Sequence, residues 1–402
     1  MRFHLYYLIF AGLLGVSPVS YGNAMRESVY NALSSVKTLI EESQLVTAGA
    51  SLSNLSSQKN LTDYERAQIL NLSGYLAIQQ ADYPRAIRHY ESLLVLEDVP
   101  EGLILSTQRN LAQLHYQTGE WQKALAALGK MPADSVSKDT QLVMLNAHSL
   151  YQLERYRQAA AVLEALDSHE SSEQALNLLR ASYQQLKDHK RAIDVLEILA
   201  ERFPDTDYLK ALASLYGLDG NYRYQLALLE TLYTDKRLES RSEWQALISL
   251  HLHQSQPGKA ALRLQEAMEL GVLPDSEKNL FRLAQAWIQA RETGQAIRAL
   301  EQLSSRTSDG ESELMAGRLL LQYDQWQGAV PWLKKASDKA ESENPEISLL
   351  LGIAELRSGQ HPQARRSLLR AAQNPDTEAR ARQWLSYLDQ LSTQASVAVL
   401  HD

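Results

Sequence analysis

Few arrangements in this 402-residue chain could carry covalent chemistry. A serine three residues before a lysine occurs at Ser34/Lys37 and Ser135/Lys138, but the partner motifs a serine acylase needs are absent. No P-loop, GxGxxG or HExxH string is present. His251 and His253 form an HxH pair, yet two residues apart on a helix they point to different faces, which suits one packed and one exposed ring better than a shared metal. Carboxylates are scattered, with no pair that stands out as acid and base. There is no cysteine, hence no thiolate nucleophile and no zinc-binding thiol set. These residues predict no enzyme, no metal and no cofactor. What remains is recognition, which depends on the elements that hold the polar side chains.

The stretch Leu70 to Leu94, LNLSGYLAIQQADYPRAIRHYESLL, reads as two short amphipathic helices joined by a tight turn. Small residues at Gly74 and Ala86 fall where two antiparallel helices must approach closely. The alanine returns as Ala86, Ala124, Ala159, Ala192, Ala260, Ala296, Ala329 and Ala364, with Gln225 standing in once; the steps are 33 to 38 residues. Twelve residues earlier lies a small residue (Gly74, Ala112, Ala147, Ala213, Ala284, Gly317, Gly352), broken by Arg180 and Ile248. Four residues later lies a large one: Tyr90, Leu128, Leu163, Leu196, Leu229, Leu264, Leu300, Leu333 and Leu368. The pattern resembles the tetratricopeptide repeat (TPR), whose period is about 34 residues. The resemblance implies an all-α fold: a right-handed superhelical solenoid of about nine TPR helix-turn-helix units, with N- and C-terminal capping helices.

The expected organisation is a signal peptide over 1–24, a degenerate helical cap over 25–63, the repeat array over 64–375, a capping helix over 376–391 and a flexible tail over 392–402. In the cap, Val29, Leu33, Val36, Ile40, Leu45, Ala48, Leu52 and Leu55 carry helical apolar spacing. Pro84, Pro257 and Pro362 mark starts of second helices, where a missing N–H costs little, and Gly119, Gly220 and Gly359 mark the turns before them. Gly328 and Pro331 fall inside the second helix of unit eight and predict a kink or a late start there.

The first 24 residues have a basic start at Arg2, an apolar run from Leu5 to Val16 and small residues at Gly22 and Ala24. They read as an export signal cleaved after Ala24, since the run is shorter than the ~20 residues of a membrane span. A net charge of −8 argues against nucleic acid as a partner. Without disulfides, an exported chain of this composition must hold its fold by packing alone.

In TPR arrays the first helix of each unit lines the concave side, and the resemblance carries particular positions over to this chain. They are Gln68, Asn71, Tyr75 and Gln79; Arg109, Gln113, Tyr116 and Gln117; Gln141, His148, Tyr151 and Gln152; and Gln174, Asn177, Gln184 and Gln185. Amides donate and accept, so such a ladder can pair with an extended peptide backbone while tyrosines pack on proline or apolar side chains. Later units are more apolar (Phe281, Ile288, Leu314, Leu321, Ile353, Leu356), a surface for a hydrophobic helix. Only Arg109 and, three units on, Lys210 could contribute to a basic clamp for a C-terminal carboxylate.

Over most of the chain beyond residue 24, and especially at DYLKALASLYGLDGNYRYQLALLETLYTDKRL (Asp207 to Leu238) and EWQALISLHLHQSQPGKAALRLQEAMELGVL (Glu243 to Leu273), the sequence resembles periplasmic TPR proteins of TonB-type energy-transducing systems. That resemblance implies a non-catalytic periplasmic scaffold or adaptor for protein partners of a TonB–ExbB–ExbD complex importing iron-siderophores or haem. A TonB-like protein is the candidate partner, and any membrane association would be peripheral. A periplasmic scaffold of polysaccharide or peptidoglycan machinery is the alternative, and a regulatory subunit of an enzyme a lesser one.

Overall fold

The computed structural model describes residues 25–166, 171–340 and 344–399, with side chains of the last helix described to Thr393. The expected export signal lies outside the described residues. The chain divides into two compact halves, Met1–Tyr208 and Leu209–Asp402.

The N-terminal half pairs α1 (Glu27–Glu41) with α2 (Leu45–Ser56), α3 (Asp63–Gln79) with α4 (Tyr83–Leu93), and α5 (Glu101–Gln117) with α6 (Trp121–Leu128). After the single turn α7 (Ala133–Ser137) come α8 (Thr140–Gln152) with α9 (Tyr156–Glu164), then α10 (Glu173–Gln185) with α11 (His189–Arg202). Helix α12 (Thr206–Leu218) carries the division between the halves. The C-terminal half continues with α13 (Tyr222–Thr234) and the pairs α14 (Arg241–His253) and α15 (Pro257–Glu269), α16 (Glu277–Gln289) and α17 (Thr293–Ser304). It ends with α18 (Glu311–Gln322) and α19 (Trp326–Lys339), α20 (Pro345–Arg357) and α21 (His361–Ala371), and the last helix α22 (Pro375–Val399). No strand occurs among the described residues, and the all-helical array of helix pairs is the fold expected from the repeat.

The repeat frame is a packing rule. All eight alanines of the frame are at most 1% exposed, and each large residue four positions on is buried. A Cβ built on Gly74 would stand 2.6 Å from the Tyr90 ring, on Gly317 2.5 Å from Leu333, and on Gly352 2.7 Å from Leu368. The small residue of the first helix therefore seats the large residue of the second, and glycine is needed where that residue presses on the backbone. Gln225, which takes the place of alanine, lays the end of its side chain over Gly217, with a built Cβ 2.5 Å from the Gln225 amide.

The turn inside each pair is equally regular. Ten residues two positions before a second helix take left-handed φ between 56° and 79°: Ser43, Ala81, Gly119, Glu154, Lys187, Gly220, Ser255, Arg291, Asp324 and Gly359. In each, the next residue's N–H bonds the carbonyl five back, as Gln44 to Leu39 and Gln360 to Glu355, at 2.8–3.0 Å. This is the Schellman closure of a helix C-terminus, which returns the last carbonyls to a donor and aims the chain into the next helix. Only three of the ten are glycine, so the sequence marked a minority of these turns.

Helices α1 and α2 share this turn, through Ser43, and so form a further pair with the geometry of the nine expected. Val29, Leu33, Val36, Ile40, Ala48, Leu52 and Leu55 join Leu61, Ile69, Leu72 and Leu76 of the following segment in one core, with Leu45 at its edge. Pro84, Pro257 and Pro362 do open second helices. Helix α19 does not start late: the Asp324 turn and the Gln325 N–H to Leu320 carbonyl bond fix its start at Trp326, and Pro331 lies inside it. At the C-terminus, α22 continues beyond Leu391, the expected end of the capping helix, to Val399. No helix among the described residues is long and apolar enough to cross a membrane.

Candidate functional site

The polar ladder sits on α3, α5, α8 and α10, the first helices of four successive pairs in the N-terminal half, and α8 lies against both α5 and α10. Its members fall into two classes. Gln79, Gln117, Gln141, Gln152, Gln174, Gln184 and Gln185 are exposed amides. Gln68, Asn71 and Tyr75 on α3 are half-buried, with the Tyr75 ring against the N-terminal core. Gln113 is 4% exposed, so it belongs to the interior and not to the surface the repeat positions implied.

Several expected contact residues are tied to the next pair. Arg109 is bonded to Asp139, the N-cap residue of α8, whose other oxygen accepts from the Gln141 and Leu142 amides. The Tyr116 hydroxyl is 3.1 Å from His148 Nδ1, and the two rings meet edge-on at 5.3 Å. Trp121, the first residue of α6, stands edge-on to Tyr116 at 5.2 Å and to His148 at 6.1 Å. Burial raises the Tyr116 phenol above its ordinary range and lowers the His148 imidazole, so both rings are held neutral. Tyr116 also packs against the core that contains Ala112 and Ala124. It is a strut between α5 and α8, where a loose groove ring was expected. Tyr151 is half-buried and edge-on to Tyr156 at 5.1 Å.

On α10 the network closes around Asn177. Its Nδ2 donates to the Tyr208 hydroxyl at 2.7 Å, Tyr208 donates to Glu173 Oε1 at 2.5 Å, and Asn177 Oδ1 accepts from Arg180 Nη2 at 3.2 Å. Arg180 Nη1 reaches Gln184 Oε1 at 3.3 Å, and Arg180 Nε is buried without a hydrogen-bond partner. Sequence reading missed Arg180 as a site residue: it showed only as a break in the small-residue frame. A large charged residue at such a position must send its head group past the helix contact, and that was the available signal.

The other sequence candidates separate. Lys37 pairs with Glu41 at 3.8 Å on α1 and Lys138, just after α7, with Asp134 at 3.0 Å, neither serving its serine. His251 is fully buried, with Nε2 2.8 Å from Glu230 Oε1 and Nδ1 3.1 Å from Gln256 Oε1. His253 is exposed beside Tyr222 at 5.4 Å, so the pair does divide between faces. No group of three metal-binding side chains occurs among the described residues. In the C-terminal half, Leu314, Ile353 and Leu356 are at most 9% exposed, which removes them from the apolar docking surface expected there. Lys210 is engaged by Glu239 at 2.9 Å and Arg109 by Asp139, leaving neither free for a clamp.

Two family models match parts of the chain. One described as "Tetratricopeptide repeat" covers residues 144–207 and 314–383, and one described as "Anaphase-promoting complex, cyclosome, subunit 3" covers residues 79–166. No curated protein matches. Among solved structures, the chain is similar to a tetratricopeptide repeat protein from Parabacteroides merdae at 18% identity, covering 65% of this chain and 99% of that one with a TM-score of 0.39. A structure of Naa15/Naa10 bound to HypK-THB matches at 14% identity over 88% of this chain and 65% of that chain, TM-score 0.41. MamA from Desulfovibrio magneticus RS-1 matches at 22% identity over 43% and 97%, TM-score 0.32. The helix pairs and their turns are of the tetratricopeptide type, a protein-interaction fold.

Proposed function

We propose that this chain is a non-catalytic scaffold, exported to the periplasm, whose first-helix face in the N-terminal half holds an extended segment of a protein partner. The observation that carries this reading is the row of exposed amides: Gln79 on α3, Gln117 on α5, Gln141 and Gln152 on α8, Gln184 and Gln185 on α10. An amide offers both a donor and an acceptor to a peptide main chain, and a row of them across successive helices selects for an extended backbone. A partner of TonB type, with a proline-containing periplasmic segment, comes from the sequence resemblance.

The test is a titration of the chain without residues 1–24 against the periplasmic part of the TonB-like protein from the same organism. The double variant Gln117→Ala with Gln185→Ala should weaken binding while leaving the melting temperature unchanged, because both side chains are exposed. Failure of the unsubstituted protein to bind, together with retention of a glycan fragment, would replace this reading with a scaffold of polysaccharide machinery.

A further inference from the structure

Arg180 is a half-buried guanidinium that pairs with no acid among the described residues. Its partners are two neutral amide oxygens, on Asn177 and Gln184, at 3.2 and 3.3 Å. Its charge otherwise interacts with the phenols of Tyr151 and Tyr208, and the acid on this network, Glu173, is taken by the Tyr208 hydroxyl at 2.5 Å. Burial lowers the guanidinium from its usual range, and an arginine side chain remains a cation in a folded protein. Three other cations on first helices are compensated by acids: Arg109 by Asp139, Lys210 by Glu239 and Arg318 by Glu346.

A cation withdrawn from water with amide acceptors alone is under-paired, since a guanidinium presents five N–H donors in a planar fork suited to a carboxylate. Two of those donors are bonded here and Nε is buried without a partner. The bond to Gln184 is long and its side chain is exposed, so an incoming carboxylate can replace that amide oxygen.

We propose that Arg180 anchors an aspartate or glutamate side chain of an extended segment lying along α8 and α10, within the amide-lined face. This rests on the scaffold reading above and adds to it the charge of the partner. Around it stand Tyr151, Asn177, Gln184 and Tyr208, with the Glu173 carboxylate engaged by the Tyr208 hydroxyl, so the guanidinium is the attractive centre for an acid. The site thus fixes the register of the bound chain through one ion pair while the amides hold its backbone.

The test uses the chain without residues 1–24 and two fluorescein-labelled peptides, one alternating proline with glutamate and one alternating proline with glutamine, titrated by fluorescence anisotropy. The glutamate peptide should bind about tenfold more tightly, the difference expected of one charge-assisted contact. Arg180→Gln should remove that preference and leave the affinity for the glutamine peptide unchanged. Arg180→Ala should do the same and fold normally, because seven equivalent positions are already Gly or Ala. Equal binding of the two peptides, or a glutamate preference that survives Arg180→Gln, overturns the assignment of Arg180 while the scaffold reading stands. Binding of neither peptide overturns both.

Discussion

Arg26, just before the first helix, holds the fully buried carboxylate of Glu65 on α3 through Nε at 2.9 Å, Nη2 at 2.8 Å and its own backbone N–H at 3.0 Å. Glu65 also accepts from the Thr62 amide, completing the capping box of α3, so one carboxylate joins the first helix pair to the second. Arg26 is the main cause of a Glu65 pKa lowered from 4.5 to about 2. A carboxyl held lower in the folded chain contributes stability that is fully present above about pH 4.5 and is lost as pH falls toward 2.

Arg26→Ala should therefore destabilise the N-terminal half at neutral pH, by leaving the buried Glu65 carboxylate without its cation, and flatten the acid limb of its stability curve. Urea unfolding across that pH range checks it. Parallel curves for the variant and the unsubstituted chain would show that the pair contributes nothing.

Residues other than glycine at the left-handed turn positions carry a steric penalty of about 1–2 kcal/mol, offset in part by the greater freedom glycine has when unfolded. Glu154→Gly and Lys187→Gly should each raise stability by up to about 1 kcal/mol, and Gly119→Ala should lower it by about 1 kcal/mol. Melting temperatures moving the opposite way would mean that these turns are not held as described.

The same substitution should have opposite signs at two glycines. In Gly74→Ala the new methyl meets the rigid, buried Tyr90 ring at 2.6 Å, and overpacking should outweigh the gain in helix propensity by about 1 kcal/mol or more. In Gly217→Ala the neighbour is the end of the Gln225 side chain, which can move aside, so the change should be neutral or stabilising by up to about 1 kcal/mol. Calorimetry of the two variants decides it.

Tyr116→Phe should cost about 1 kcal/mol by removing the hydroxyl contact to His148. His148 has a folded pKa below 6.5, so the unfolded chain binds more protons below that pH and stability falls with it. His148→Gln should reduce this dependence, measured as the shift of the urea midpoint on lowering the pH through 6.5. An unchanged slope would remove His148 as its source.

The sequence by itself determined the helix pairs, their frame and most of the N-terminal core, because those features are local periodicities: a small residue twelve positions before an alanine and sixteen before a large residue, and apolar residues every three or four. It also separated His251 from His253, since helical geometry alone puts them on different faces. Tertiary structure decided which polar side chains stay open. Gln113 and Tyr116 occupy repeat positions that imply a surface, yet neighbouring helices bury the first and hold the second against Trp121 and His148. The turns at Glu154 or Arg291 were equally hidden, because helix packing over-determines a backbone that local preference would refuse. Arg180 read as an error in the repeat; only the placement of Asn177, Gln184 and Tyr208 around it shows a cation with no acid partner among the described residues. Periodicity records where a side chain starts, whereas compensation of its charge depends on residues of other helices, which no local pattern specifies.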